Sequence, residues 1–324
     1  MYTYAWYHWI AFFYFYCFFG WVFESTYVSL KKRHFVNRGF LRLPMLPLYG
    51  TGAVMMLWVS LPVKNNIVLV YLAGFIAATL LEYVTGYVME RLFKMKYWDY
   101  SNQKFNLHGY ICLSSSIAWG FLTILMTEFI HKPVERFVLS MNPILEAALI
   151  GVISAFFLVD AVQSVREAID LGRALEAMTK MKAELDDLQV QMALLKAETS
   201  QKVSELKENT AQIVSGLRVD TAQRVSELKV DTAQRMSELK VDTAQKIADW
   251  KEQHEDTARK VAGFKSETEA ALISRLEQLT ERRHKLTHHM SFYRKGILRG
   301  NPTASSRKFA EALKELRDSI DAKR

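Results

Sequence analysis

Five long apolar stretches fill the first half of the chain, and they constrain its fold more than any other feature. They run approximately over residues 9–30, 44–61, 67–89, 109–130 and 144–165. Each is about as long as the roughly 20 helical residues that cross the hydrocarbon core of a bilayer. The pattern predicts an all-α fold in which residues 1–165 form a polytopic membrane helix bundle of about five transmembrane helices.

Charge and aromatic content differ sharply between the two halves of the chain. Residues 1–165 hold 12 Lys/Arg and 8 Asp/Glu, whereas residues 166–324 hold 30 and 26. Of the 40 aromatic residues, 35 lie in the first half. This asymmetry excludes a single soluble globular domain. The two cysteines, Cys17 and Cys112, lie in apolar stretches, so we expect neither a disulfide framework nor a Cys-based metal site.

Lys and Arg in the short loops predict the orientation, because such residues gather on the cytoplasmic side of a membrane. The loops after the first and third stretches are the basic ones, with Lys31, Lys32, Arg33, Arg38, Arg42, and with Arg91, Lys94, Lys96, Lys104. We therefore expect a multi-pass protein of the plasma membrane with its N-terminus outside. Everything after residue 165 is then cytoplasmic.

Three carboxylates within or beside the apolar stretches are the candidate site: Glu24, Glu82 and Glu90. An ionised group inside a bilayer is costly unless it is paired or hydrated, so such residues often mark a functional pathway. Glu82 and Glu90 lie eight residues apart and share one broad face of a helix. They could form a polar pocket or ion path with Arg38 and Arg91, or they could be structural ion pairs at the cytoplasmic interface.

The two basic loops carry the most distinctive residue strings. The first contains Asn37, Arg38, Gly39, Pro44, Pro47, Tyr49 and Gly50, and the second contains Trp98, Asp99, Tyr100, Asn106 and Gly109. With these strings, residues 10–165 resemble the bacterial membrane family called Putative ABC-transporter type IV, a permease-like group. Leu43 departs from the family pattern, in which we expect a glycine before Pro44.

The resemblance implies a membrane subunit of an ABC transporter. The chain contains no G-x-x-x-x-G-K-[ST] phosphate loop, so a separate ATPase subunit would have to hydrolyse ATP. We predict no catalytic residue, metal or cofactor, and we expect the protein not to be an enzyme. The loop residues could contact substrate, or they could fold into a cytoplasmic cap in which they satisfy one another.

The second half predicts a long coiled coil over residues 166–290. Met178, Met181, Leu185 and Leu188 begin a heptad seam, and four copies of an 11-residue repeat follow over residues 201–244. No proline lies between Pro143 and Pro302, which favours one continuous helix. A reversal within the chain would have only Gly172, Gly216 and Gly263 as weak points, so we predict pairing between chains in a parallel homo-oligomer.

The remaining residues, 291–324, predict a basic tail with a short amphipathic helix. Arg294 and Lys295 follow a basic run at residues 282–285, and this cluster could face solvent, anionic lipid or an acidic partner. Nucleic acid is not expected as a partner. Phe309, Leu313 and Leu316 share one face of the final helix. The alternative function for the whole chain is a membrane-anchored coiled-coil scaffold, in which the bundle is only the anchor.

Overall fold

The protein is nearly all-α, as the sequence predicts. A computed structural model describes residues 4–227, 233–288 and 290–322. A short antiparallel pair of strands interrupts the helices, with Asn106 opposite Cys112 and Leu107 opposite Ile111. In chain order the elements are α1 (Trp6–Lys32), α2 (Pro47–Ser60), a 3₁₀ turn (Leu61–Val63), α3 (Ile67–Phe93), β1 (Asn106–Leu107), β2 (Ile111–Cys112), α4 (Leu113–Leu125), a π-helical segment (Met126–Ile130), α5 (His131–Leu139), α6 (Pro143–Glu227), α7 (Ala233–His288), α8 (Phe292–Gly300) and α9 (Ala310–Asp321).

Three of the described helices are long and apolar enough to cross a membrane. They are α3, the continuous stretch Leu113–Leu139, and the apolar first part of α6. The helix Pro47–Val63 is apolar but shorter. The α1 helix has 27 residues, but it is rich in Tyr and Trp, which gather at membrane interfaces and lower its hydropathy. The apolar helices are those of a membrane protein, whereas the count of five spans stays a prediction.

The α3 helix shows how the bundle separates its two faces. Gly74, Ala78 and Glu82 are buried, and Gly74 lies so close to Thr123 of α4 that no side chain would fit there. Small residues of this kind let helix backbones approach closely inside a membrane. On the opposite face Ile76 and Leu80 are more than 60% exposed, and this apolar surface suits contact with lipid.

Residues 180–284 form a compact unit of their own, built from the second part of α6 and from α7. Glu184 of α6 lines the same cavity as residues 271–282 of α7. Along the sequence, Glu184 precedes Glu227, the last described residue of α6, by about as many residues as positions 271–282 follow Ala233, the first described residue of α7. The helices therefore run antiparallel, with Leu188 and Leu279 buried.

The antiparallel pair differs from the expectation of one continuous helix over residues 166–290. Near Leu188, α6 packs on α7 of the same chain, whereas Val203 and Val219 of α6 are exposed. Gly172 and Gly216 lie within α6 and Gly263 within α7, so none of the three predicted weak points lies between the two helices. Residues 228–232, in the third repeat copy, lie outside the described residues. A parallel homo-oligomer stays a prediction.

The end of the chain returns to the membrane bundle. Residues 285–322, here called the tail, belong to the same compact unit as residues 4–179. Apolar side chains of α8 and α9 are buried in this unit together with the α6 residues Leu171 and Leu175. The tail, which the sequence analysis set apart as a separate basic segment, is thus part of the structure that surrounds the candidate site. Its buried apolar residues are Met290, Ile297, Leu298, Ala304, Phe309, Ala312, Leu313, Leu316 and Ile320.

Candidate functional site

Glu82 is the deepest of the three predicted carboxylates and is only 5% exposed. Its Oε1 accepts a hydrogen bond from the Tyr100 hydroxyl at 3.0 Å. Its Oε2 accepts from the indole of Trp119 at 2.9 Å and from the hydroxyl of Ser115 at 3.3 Å. Because both oxygens accept and all three donors are neutral side chains, the carboxylate joins α3, α4 and the segment between them without an ion pair.

Glu24 lies in a second polar cluster, on the α1 side. It accepts a hydrogen bond from the Tyr49 hydroxyl at 2.6 Å, and its other oxygen lies 3.5 Å from the Arg38 guanidinium. Burial raises the pKa of Tyr100, and the charges of Glu82 and Glu24 raise it further. The hydroxyl of Tyr100 is therefore a neutral donor placed between two acidic groups. Glu24 thus lies near enough to Tyr100 to act on it electrostatically, but among the described residues no hydrogen bond joins Glu24 or Tyr49 to Tyr100.

Glu90 belongs to a neighbouring cluster around Lys96. The Lys96 ammonium is 6% exposed and lies 3.9 Å from Glu90 and 3.8 Å from Asp99. It also donates to the backbone oxygen of His108 at 2.6 Å and lies 4.7 Å from the centroid of the Tyr110 ring. The Tyr110 hydroxyl in turn donates to Glu90. These contacts are typical of structural ion pairs, the alternative to a polar pocket for these carboxylates.

Asp99 is held in its ionised form by its surroundings. Burial opposes ionisation, but hydrogen bonds from Ser101 and the charges of Lys96 and Arg307 outweigh that cost. The pKa of Asp99 therefore lies below its usual range. A carboxylate fixed in this way organises the loop and is poorly suited to exchange protons.

The remaining residues of the second loop (residues 94–110) hold its backbone in place. The Trp98 indole donates to the backbone oxygen of Tyr110 at 2.9 Å, and the backbone N–H of Tyr100 donates to the Gly109 oxygen at 2.8 Å. Asn106 bonds three backbone groups of this loop. Gly109 has φ +75°, a left-handed conformation that favours glycine. The loop is thus a folded cap, as the structural interpretation proposes.

Residues of the first loop (residues 33–46) and the start of α2 are packed in a similar way. Asn37 accepts from the Trp21 indole at 2.6 Å and donates to the Arg42 oxygen at 3.0 Å. Gly39 has φ +132°, and Gly50 lies against the backbone of Phe13 in α1. Pro44 lies within the loop, and Pro47 is the first residue of α2, where a proline costs no helical hydrogen bond.

Leu43, which stands where the family pattern has glycine, is accommodated without strain. It is not among the described residues with positive φ, so its backbone does not require glycine. Its amide and that of Arg42 donate to the same oxygen of Asp160, at 2.9 and 3.0 Å. This buried carboxylate of α6 therefore anchors the bend of the first loop.

Contacts from the tail to both loops are the part of the site that the sequence analysis missed. Arg38 donates to the side-chain oxygen of Asn301 at 2.9 Å, and Asn301 donates back to the Gly39 oxygen at 2.9 Å. Lys96 and Ser305 exchange two backbone hydrogen bonds, at 2.7 and 2.8 Å. No local signal could have paired residues more than 200 positions apart.

The basic tail cluster also finds its acidic partner within the chain. Arg294 donates to Glu167 of α6 at 3.0 Å and lies 3.9 Å from Asp170. Phe292 beside it supports the guanidinium of Arg42 at 4.2 Å from its ring centroid. For Arg294, the acidic partner is therefore found within the chain, while the role of the other basic residues of the cluster stays a prediction.

Residues 11–165 match the model of the family described as Putative ABC-transporter type IV. This part of the chain is similar to that family. The match covers the segment that the loop motifs indicated and ends within α6, so it contains all three candidate carboxylates and both loops. The family is of the transporter type, and the apolar helices agree with a membrane location for residues 11–165.

No curated protein and no solved structure matches the chain. Among the described residues, no group of three or more His, Cys, Asp or Glu side chains is placed to hold a metal ion. The environment of Glu82 is therefore the structural feature that bears most directly on the function of residues 11–165.

Proposed function

We propose that the chain is a permease-like membrane subunit of an ABC transporter, with five spans, an external N-terminus and its ATPase on a separate chain. The family match over residues 11–165 supports the transporter type. The absence of a phosphate loop from the sequence supports an ATPase that acts from another chain. We infer a non-enzymatic role for the chain itself.

The observation that carries this proposal is the environment of Glu82. It is a buried carboxylate within an apolar helix, and its hydrogen bonds come from Tyr100, Ser115 and Trp119. No cation lies within ion-pair distance of it among the described residues. Buried ionisable groups inside a membrane are costly and commonly serve a transported ion or substrate. In this proposal Glu82 binds the transported species or its coupling proton, and the Tyr100 hydroxyl that donates to it also feels the charge of Glu24.

The test uses the full chain purified from native membranes together with a phosphate-loop ATPase. Glu82→Gln keeps the size of the side chain but removes its charge, whereas Glu128→Gln removes a charge that is exposed and paired with Lys132. We expect Glu82→Gln to abolish the transporter-dependent ATP hydrolysis of the complex and Glu128→Gln to leave it unchanged. Equal rates for the wild type and Glu82→Gln, or no associated ATPase, would contradict the proposal.

Orientation is tested separately by labelling with a membrane-impermeant thiol reagent in intact cells. Single cysteines at Lys31, in the last turn of α1, and at Lys104, in the second loop, should be protected, because both positions lie on the side assigned to the cytoplasm. A cysteine at Lys132 should react. The opposite pattern would reverse every loop assignment.

A membrane-anchored coiled-coil scaffold is the second candidate, and the separate unit of residues 180–284 favours it. Several apolar side chains on this antiparallel pair are more than half exposed, among them Val190, Leu194, Val219 and Val241. Exposed apolar residues at these positions would let two such pairs associate as a coiled coil between chains. Deletion of residues 181–283 should abolish function if the scaffold role is the central one. A functional deletion variant would exclude it.

A further inference from the structure

A basic cavity lies where the first loop meets the tail. It has a volume of about 650 Å³, within the roughly 300–1,000 Å³ typical of ligand pockets. Both walls belong to the same compact unit, since residues 32–42 form one side and residues 296–321 the other. Its charged or titratable lining residues are Lys32, His34, Arg42, Arg299, Arg317 and Asp321.

The balance of these charges favours an anion. Four of the six side chains are permanently cationic near neutral pH, and one, Asp321, is anionic. Elsewhere in this unit Arg38 and Arg294 are paired with carboxylates, at 3.5 and 3.0 Å. The walls of the cavity therefore carry a net positive charge, whereas the neighbouring cations Arg38 and Arg294 are neutralised by carboxylates.

Two guanidinium groups of the cavity retain unused hydrogen-bond donors. The Nε atoms of Arg42 and Arg317 are both buried and have no hydrogen-bond partner among the described residues. A buried donor left in this state is costly, and it is usually satisfied by a partner. Both groups are also held in place. Arg42 lies over the Phe292 ring, and Arg317 donates from Nη2 to the backbone oxygens of Asn301 and Ala304.

We propose that this cavity binds a phosphate group, with Arg42 and Arg317 as its principal donors. Fixed guanidinium groups suit phosphate because they present several N–H donors in a planar array and hold their charge at all physiological pH values. Arg299 and Lys32 add charge at the rim. The binding of phosphate would stabilise the contact between the first loop and the tail, since each contributes one of the two arginines.

The position of the cavity allows two sources for the phosphate. Lys32 is the last residue of α1, so this wall lies at the end of an apolar helix, where the headgroups of a bilayer begin. The phosphate could therefore belong to an anionic phospholipid, or it could be a soluble phosphate ion. The chemistry of recognition is the same in both cases, and the experiment separates them.

The full chain is reconstituted into nanodiscs of phosphatidylcholine, either alone or mixed with phosphatidylglycerol, and its thermal unfolding is followed. In the first arm phosphatidylglycerol is added, and in the second inorganic phosphate is titrated into the phosphatidylcholine discs. A higher unfolding temperature in the first arm identifies a lipid, and one in the second identifies free phosphate. No change in either arm would overturn the proposal.

Matched variants show whether the cavity is responsible. Arg42→Gln should weaken binding by at least about tenfold, because it removes a charge-assisted donor. Lys104→Gln removes the same charge from an exposed position of the second loop and should change binding by less than about twofold, since surface charges contribute little. Equal weakening by the two variants would indicate a diffuse electrostatic effect and contradict the proposal.

Arg299→Gln keeps the test decisive if Arg42→Gln fails to fold. Arg299 is exposed at the rim, and its side chain makes no hydrogen bond or ion pair with the described residues. Its replacement should leave the fold intact and still weaken binding relative to Lys104→Gln. Binding by Arg299→Gln as tight as that of the wild type would count against the cavity.

Discussion

The guanidinium of Arg38 donates a hydrogen bond of 2.9 Å to the side-chain oxygen of Asn301, which lies 263 residues further along the chain. The same guanidinium lies 3.5 Å from Glu24, a candidate carboxylate of the bundle. A single side chain thus connects the polar network of α1 with the tail. A displacement of the tail would therefore remove a hydrogen bond from Arg38, the side chain that lies beside Glu24.

Asn301→Ala tests the strength of this link. Asn301 is 3% exposed and bonds Arg38, Gly39 and Ile297, so its loss leaves buried polar groups without partners. We expect a destabilisation of about 2–3 kcal/mol, seen as a lower unfolding temperature and faster proteolysis of the tail. Asn65→Ala, at an exposed loop position, is the control and should behave as the wild type. Unchanged proteolysis of the tail would show that Asn301 does not hold it.

Lys96→Met tests the ion-pair cluster of the second loop. The ammonium group compensates Glu90 and Asp99, which are themselves only partly buried. Removing one partner of a fully buried pair costs about 3–5 kcal/mol, and the partial exposure here lowers our expectation to about 2 kcal/mol. Thermal unfolding in detergent measures the loss. Lys104→Met, in the same loop but exposed, should cause little change, and similar losses in both variants would refute the role of Lys96.

The antiparallel arrangement of α6 and α7 predicts a specific cross-link. Cysteines at Glu184 and Gln278, which line one cavity, should be joined within one chain by a short bis-maleimide. A control pair at Glu184 and Asp242 should not react, because residue 242 lies roughly 50 Å from residue 278 along α7 at 1.5 Å per residue. Gel mobility distinguishes products within a chain from those between chains. If only products between chains formed, the parallel rod of the sequence prediction would be correct instead.

The sequence was sufficient where the signal is local and periodic. The apolar stretches predicted a helical membrane domain because the side chains of a transmembrane helix are selected residue by residue by the bilayer. The loop strings predicted the family because they combine unusual residues such as Trp98, Asp99 and Tyr100 within a short segment. Glu82 was recognisable as an exception within an apolar helix.

Local signals failed where the fold depends on contacts between distant segments. The heptad seam at Leu188 requires an apolar partner but carries no information on whether that partner is α7 or another chain. Glycine and proline are the local signals of a reversal, and Gly172, Gly216 and Gly263 lie within α6 and α7. Arg38 and Asn301 are each ordinary polar residues in sequence. Their hydrogen bond forms only because the end of the chain folds back onto the first loop, and no sequence motif indicates this.

The tail packs on the loops of the membrane domain within the same chain, and this packing can be measured directly. The most direct measurement places cysteines at Ser101 and Arg307, whose side chains are hydrogen-bonded, in a variant in which Cys17 and Cys112 are replaced by alanine. A protease site inserted at residues 228–232 allows the chain to be cut after treatment of native membranes with a short bis-maleimide. We expect the two fragments to remain joined on a denaturing gel, and neither single-cysteine variant to show this product. Fragments that separate completely despite labelling of both cysteines would contradict it.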